Sequence, residues 1–139
     1  MRDFFLRIAP CVKEPFSVLL MSGEDTDCSR YCIAGWDPLL VVSSKGNKAQ
    51  VWDVRKNSIQ FFTPSSALHF IDSTIAQISC HVPYKEPPFV GGFMGYISYE
   101  FKNVIEPHLP QSAEDDLGLP DFFFIFPSTV VVFDKKKPS

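Results

Sequence analysis

Only one stretch of the chain repeats its apolar residues at helical spacing. Ala67, Leu68, Ile71, Ile75 and Ile78 recur at intervals of three and four, with Asp72, Ser73 and Gln77 between them, so one face from Pro64 to about Ser79 is apolar. Thr63-Pro64 is a good start for that helix. Thr63 can cap, and Pro64 at the first helical position loses an N–H that has no partner there in any case. His69 falls at the edge of the stripe and reads as an edge residue, not a ligand.

Elsewhere apolar residues come in short runs broken by proline, glycine or charge, which is the pattern of strands. Phe16 to Met21 is one strand, and Tyr31–Ala34 and Leu39–Val42 are two more. Gly35-Trp36-Asp37-Pro38 should separate that pair, because Pro38 lacks a donor and restricts Asp37. Lys45-Gly46-Asn47-Lys48 suits a tight turn folding Leu39–Ser44 onto Ala49–Val54, and Arg55-Lys56-Asn57 makes a second turn into Ile59–Thr63. Gly91, Gly92 and Gly95 lie within five residues, a cost that close approach of another segment would explain. Lys102 to Pro120 reads as loop with one helical turn before Pro107. Phe122 to Phe133 is a long apolar strand in which Pro127 should force a bulge or a break. The fold class is α+β: an antiparallel sheet with one main helix, in one domain over 1–139.

Composition excludes several functions. Thirteen basic and sixteen acidic residues give a net charge of −3, which argues against a sequence-independent grip on nucleic acid. No apolar run is long enough to span a bilayer, so no membrane role and a cytoplasmic location are expected. Cys28 and Cys32 are spaced as one ligand pair, but His69, His81 and His108 are scattered singly and complete no zinc set, so Cys11, Cys28, Cys32 and Cys80 read as free thiols. Glu114, Asp115 and Asp116 read as a solvated loop, and Glu100 and Glu106 as solvated or salt-bridging groups. There is no nucleophile elbow, and Gly91-Gly92-Phe93-Met94-Gly95 has the glycine offsets of neither a dinucleotide fold nor a phosphate loop. No active site can be assembled from these residues.

Three segments in order carry a family resemblance. They are Pro15–Gly23 with Ser29–Pro38, then Pro88–Glu100, then Ile105-Glu106 through Leu109-Pro110 and Asp116–Asp121 to the strand ending Val132-Phe133-Asp134. Together they resemble the N-terminal region of component I of the chorismate-utilising synthases, the group of anthranilate synthase and aminodeoxychorismate (para-aminobenzoate) synthase. Tryptophan-sensing anthranilate synthases show Leu-Leu-Glu-Ser where this chain has Leu19-Leu20-Met21-Ser22, so Met21 removes an acceptor for an ammonium. The continuation Ser22-Gly23 resembles the aminodeoxychorismate branch.

That resemblance implies an effector pocket of the tryptophan-binding kind at Ser22, Cys28, Ser29, Arg30 and Tyr31. Ser22 would offer a hydroxyl, Arg30 a donor for a carboxylate and Tyr31 a packing surface. The alternative is that Arg30 pairs with a local acid such as Asp37 while Tyr31 is core. The resemblance further implies that chorismate, magnesium and the catalytic residues belong to a C-terminal domain, with ammonia from a glutamine amidotransferase subunit. This chain alone would then hold no cofactor and catalyse nothing. A freestanding small-molecule-binding or interaction module is the reading from another class. The end of the chain, just past the Val130–Phe133 strand, looks like a cut in a larger protein. Fourteen phenylalanines then suggest an exposed apolar patch near Phe122–Phe133, with self-association hiding it.

Overall fold

The computed structural model describes residues 6–23, 29–78, 87, 89–108 and 115–136. Six strands follow in chain order: β1 (Val18–Leu20), β2 (Tyr31–Lys45), β3 (Lys48–Asp53), β4 (Ser58–Phe62), β5 (Met94–Ile97) and β6 (Phe122–Asp134). They form one sheet in the order β4-β3-β2-β6-β5, with β1 also pairing to β2. The main helix, α1, is Pro64–Ile78, and a short helix, α2, is Lys102–Ile105 after a 3-10 turn at Tyr99–Phe101. An antiparallel sheet with few helices was the expected class.

β1 to β4 make the meander the turn residues dictate. Lys45 pairs with Lys48 across a turn in which Gly46 takes φ 56°. The second turn places Asn57 at φ 48°, with the Lys56 N–H donating to the Asp53 carboxylate at 2.9 Å. Asn tolerates that left-handed conformation better than most residues. Lys135 N–H donates to the Arg30 carbonyl at 2.9 Å and Asp121 N–H to that of Ser44 at 2.7 Å. The bonded residues run in opposite senses, so β2 and β6 are antiparallel.

Neither proline ends its strand. β2 continues from Tyr31 to Lys45 through Gly35-Trp36-Asp37-Pro38, and β6 continues through Pro127. The first is made possible by Asp37 at φ 53°, whose carboxylate accepts from the Ser128 hydroxyl at 2.6 Å. A local kink of this sort absorbs the proline without ending the strand.

The chain packs as two compact units. One comprises Met1–Leu39, Cys80–Met94 and Ile125–Ser139. Ile8, Cys32 and Ala34 are its buried cluster, with Val12, Leu19, Trp36, Val131 and Phe133 packed on them. Gly35 is needed there, since a Cβ would lie 2.7 Å from the Met94 sulfur and 3.0 Å from the Pro127 ring.

The other unit comprises Leu40–Ser79 and Gly95–Phe124. Val42 and Phe122 are fully buried in it, and the Phe101 ring meets Phe122 edge-on at 5.4 Å. Burying a ring of that size contributes about 1.5–3 kcal/mol. α1 begins as its sequence requires: the Ser66 N–H donates to Thr63 Oγ1 at 3.3 Å. Pro64 and Ala67 in its first turn are buried, whereas Ile75 is 46% exposed. Of the exposed apolar patch expected near Phe122–Phe133, β6 itself contributes no exposed apolar side chain. β6 is interior to the sheet, paired on both sides, and Ser128 is its only exposed residue. On the strands, the exposed large apolar side chains are Leu20 on β1, Ile59 and Phe61 on β4, and Tyr96 and Ile97 on β5, which neighbours β6.

Candidate functional site

Of the five residues implicated by resemblance, Ser22, Ser29, Arg30 and Tyr31 are described and gather in one place; Cys28 lies outside the described residues. Ser22 follows β1, and Ser29 and Arg30 lead into Tyr31, the first residue of β2. The antiparallel β1–β2 pairing, Leu20 against Ile33, is what brings the two segments side by side. The Ser22 hydroxyl donates to the Tyr31 carbonyl, Ser29 is buried, and the Arg30 guanidinium sits 4.8 Å from the centre of the Tyr31 ring.

The residue that organises the cluster is one the sequence reading missed. Arg30 is held by Asp134, Nε to Oδ1 at 2.9 Å and Nη2 to Oδ2 at 2.8 Å, a two-pronged pairing of planar groups. Both side chains are partly buried. The neighbouring Lys135 ammonium donates to the carbonyls of Ser22 at 3.1 Å and Gly23 at 2.8 Å. The local acid suggested for Arg30, Asp37, is engaged with Ser128 instead. Asp134 stands 104 residues from Arg30, and no short motif links them; only the β2–β6 pairing does. Chemically the cluster offers a guanidinium over an aromatic ring, flanked by a hydroxyl and an ammonium. An incoming carboxylate would have to share Arg30 with Asp134.

A second cluster forms around Lys45. Its ammonium donates to the Asp115 carboxylate and to the Leu119 carbonyl at 2.6 Å, with Asp121 at 4.0 Å. The hydrogen bond to Asp115 raises the Lys45 pKa above its ordinary value. The same bond, then the Gly118 N–H, lowers that of Asp115. Asp115 is therefore part of an ion pair and not simply solvated loop, while Asp116 is exposed and Glu114 lies outside the described residues. Glu100 accepts from Asn103 at 3.0 Å with Lys102 at 3.6 Å, a salt-bridging role the sequence suggested, and the exposed Glu106 lies 3.4 Å from His108.

Among the described residues, no three His, Cys, Asp or Glu side chains converge on one point. Cys32 is a buried free thiol, Cys11 is partly buried, and Cys80 lies outside the described residues. No described helix is long and apolar enough to cross a membrane.

No protein-family model matches the chain. Individual relatives do. Over 133 residues it is 35% identical to anthranilate synthase component 1 of Thermus thermophilus, a match covering 96% of this chain and 27% of the relative. Over 122 residues it is 28% identical to aminodeoxychorismate synthase component 1 of Bacillus subtilis, covering 88% of this chain and 24% of the relative. In fold it is similar to anthranilate synthase component I from Streptococcus pneumoniae, with a TM-score of 0.60 at 23% identity, covering 94% of this chain and 27% of that one. The chain thus spans about a quarter of the length of the proteins it matches. Over most of its own length it is related to component I of the chorismate-utilising synthases, in sequence and in fold.

Proposed function

We propose, from this kinship with component I of the chorismate-utilising synthases, that the chain is the N-terminal, non-catalytic portion of an aminodeoxychorismate synthase component I. The parent enzyme would aminate chorismate to 4-amino-4-deoxychorismate for folate synthesis, a transferase- or lyase-type step. Ammonia would come from a glutamine amidotransferase subunit, and magnesium would be held by a C-terminal chorismate-binding domain. The carrying observation is coverage: 96% of this chain aligns with about a quarter of a component I protein. Among the described residues no three His, Cys, Asp or Glu side chains converge as a protein-held metal ion requires.

Within this reading the Ser22, Ser29, Arg30 and Tyr31 cluster is an effector site for an amino acid, with Cys28 added by resemblance. Arg30 would contribute charge for the carboxylate and Tyr31 a flat surface. Met21, 54% exposed, stands where tryptophan-sensing anthranilate synthases carry a glutamate, which supports the aminodeoxychorismate branch. A second reading, anthranilate synthase component I, is favoured by the higher identity to the Thermus thermophilus protein.

Product analysis separates the two. The complete reading frame containing this chain, supplied with chorismate, magnesium and ammonium, should form 4-amino-4-deoxychorismate; anthranilate would establish the second reading. Turnover of chorismate by the 139-residue chain alone would overturn the non-catalytic role. A reading frame with no chorismate-binding domain would leave a freestanding binding module.

A further inference from the structure

Lys45 and Lys48 stand directly opposite each other at the end of the β2–β3 hairpin. Like charges in that relation destabilise a sheet unless something answers them. Asp115 answers Lys45. Lys48 has no ion-pair partner among the described residues.

One row further along, Ser43 pairs with Gln50 and Gln50 with Phe61, so these three side chains lie in register across β2, β3 and β4. Strand alternation puts them on the same face as the two lysines. They line a cleft of about 320 Å³ whose far wall is Gly118 and Pro120. That volume is at the small end of ligand sites, which run from ~300 to ~1,000 Å³. The wall is fixed by Lys45 and its bond to the Leu119 carbonyl, by Gly46 N–H on the Asp121 carboxylate at 2.6 Å, and by Gly118 N–H on Asp115 at 3.0 Å.

The chemistry of the lining selects a ligand. Gln50 Nε2 donates to Ser43 Oγ at 3.1 Å, so the Ser43 hydroxyl hydrogen is left to donate into the cleft. Phe61 offers its ring at 77% exposure. One unanswered ammonium and one hydroxyl suit a single negative charge. A dianion would meet the carboxylates of Asp115 and Asp121 behind Lys45. We propose that this cleft binds a small aromatic carboxylate, with its charge on Lys48 and Ser43 and its ring against Phe61. The proposal stands apart from the chorismate reading and from the Arg30 cluster.

The test is titration of the 139-residue chain with benzoate, followed by NMR shifts of the hairpin amides. Acetate supplies the charge without the ring, and benzamide the ring without the charge. Benzoate should give saturable shifts centred on Ser43, Lys48 and Phe61, with both controls at least five-fold weaker. Lys48→Gln and Phe61→Ala should each weaken benzoate five- to ten-fold, and Lys48→Arg should retain it. Both side chains are exposed, so the variants should keep the wild-type spectrum elsewhere. Unsaturable shifts, benzamide equal to benzoate, inorganic phosphate binding tighter than benzoate, or an unaffected Lys48→Gln variant would each overturn the assignment.

Discussion

Replacing Gly95 with alanine should unfasten β5. A Cβ built there lies 1.9 Å from the Phe123 carbonyl oxygen and 2.8 Å from Phe124 Cα, and both are backbone atoms that no side-chain rotation can clear. Ordinary contact begins near 3.4 Å, so the two strands would have to separate by about 1.5 Å. That stretches an N···O distance of ~2.9 Å beyond 4 Å, outside hydrogen-bonding range. β5 is four residues long, so a few ladder bonds at about 1 kcal/mol each would be lost, with overpacking strain of ~1–3 kcal/mol as the other way to accommodate the methyl. We expect a loss of about 3 kcal/mol.

Urea unfolding measures it, with Trp36 in one unit and Trp52 in the other as fluorescent reporters. At a slope of ~2 kcal/mol/M the midpoint should fall by ~1.5 M. Gly91→Ala is the control, since nothing lies within 4 Å of a Cβ there, and it should stay within ~0.5 kcal/mol of wild type. A Gly95→Ala midpoint equal to wild type would refute the close-approach account. So would a Gly91→Ala loss of the same size.

Asp134→Asn removes one side of the partly buried pairing with Arg30 and should cost about 2 kcal/mol, read by the same unfolding assay; Asp37→Asn, which keeps an acceptor for Ser128 and tolerates the positive φ, should be near neutral. Phe122→Ala empties a fully buried site and should cost ~3–5 kcal/mol, whereas Phe61→Ala should cost less than ~0.5 kcal/mol. Stability should also fall at both pH extremes. The Asp53 and Asp115 carboxyls are held below their ordinary value, Asp53 chiefly by the Lys56 N–H. What they contribute is present above about pH 4 and is lost as pH falls through the depressed values. Lys45 is raised above 10.5, so its contribution is complete below that pH and is lost as pH climbs through the raised value. In urea midpoints measured across pH, Asp115→Asn should flatten the alkaline limb and reduce the acid one.

Local chemistry was legible in the sequence where it was self-sufficient. The Thr63-Pro64 start, the Gly46 turn, the Asn57 turn and the three- and four-residue stripe of α1 each depend on neighbours a few residues away. The break expected at Gly35–Pro38 was misread for the opposite reason. β2 runs on through Pro38 with Asp37 at φ 53° and bonded to Ser128, 91 residues distant. The same limit hid Asp134 from the reading of Arg30, and it hid that β6 is interior while its neighbour β5 carries the exposed Tyr96 and Ile97. Which strand is central is a property of pairing order, and composition does not encode it. The Ser22, Ser29, Arg30 and Tyr31 cluster came from resemblance alone, and the structure adds the two charged groups, Asp134 and Lys135, that surround it.

The first turn of α1 is tucked in by Pro64 and Ala67, while farther along Asp72, Ser73, Ile75 and Gln77 all face solvent. A cylinder anchored at one end does not melt uniformly. Its far amides should trade protons with deuterated water much faster than those near Leu68, and limited digestion should clip it first beyond Ile75. Anything that later covers that far half would be visible as slowed exchange there, without a change in fold.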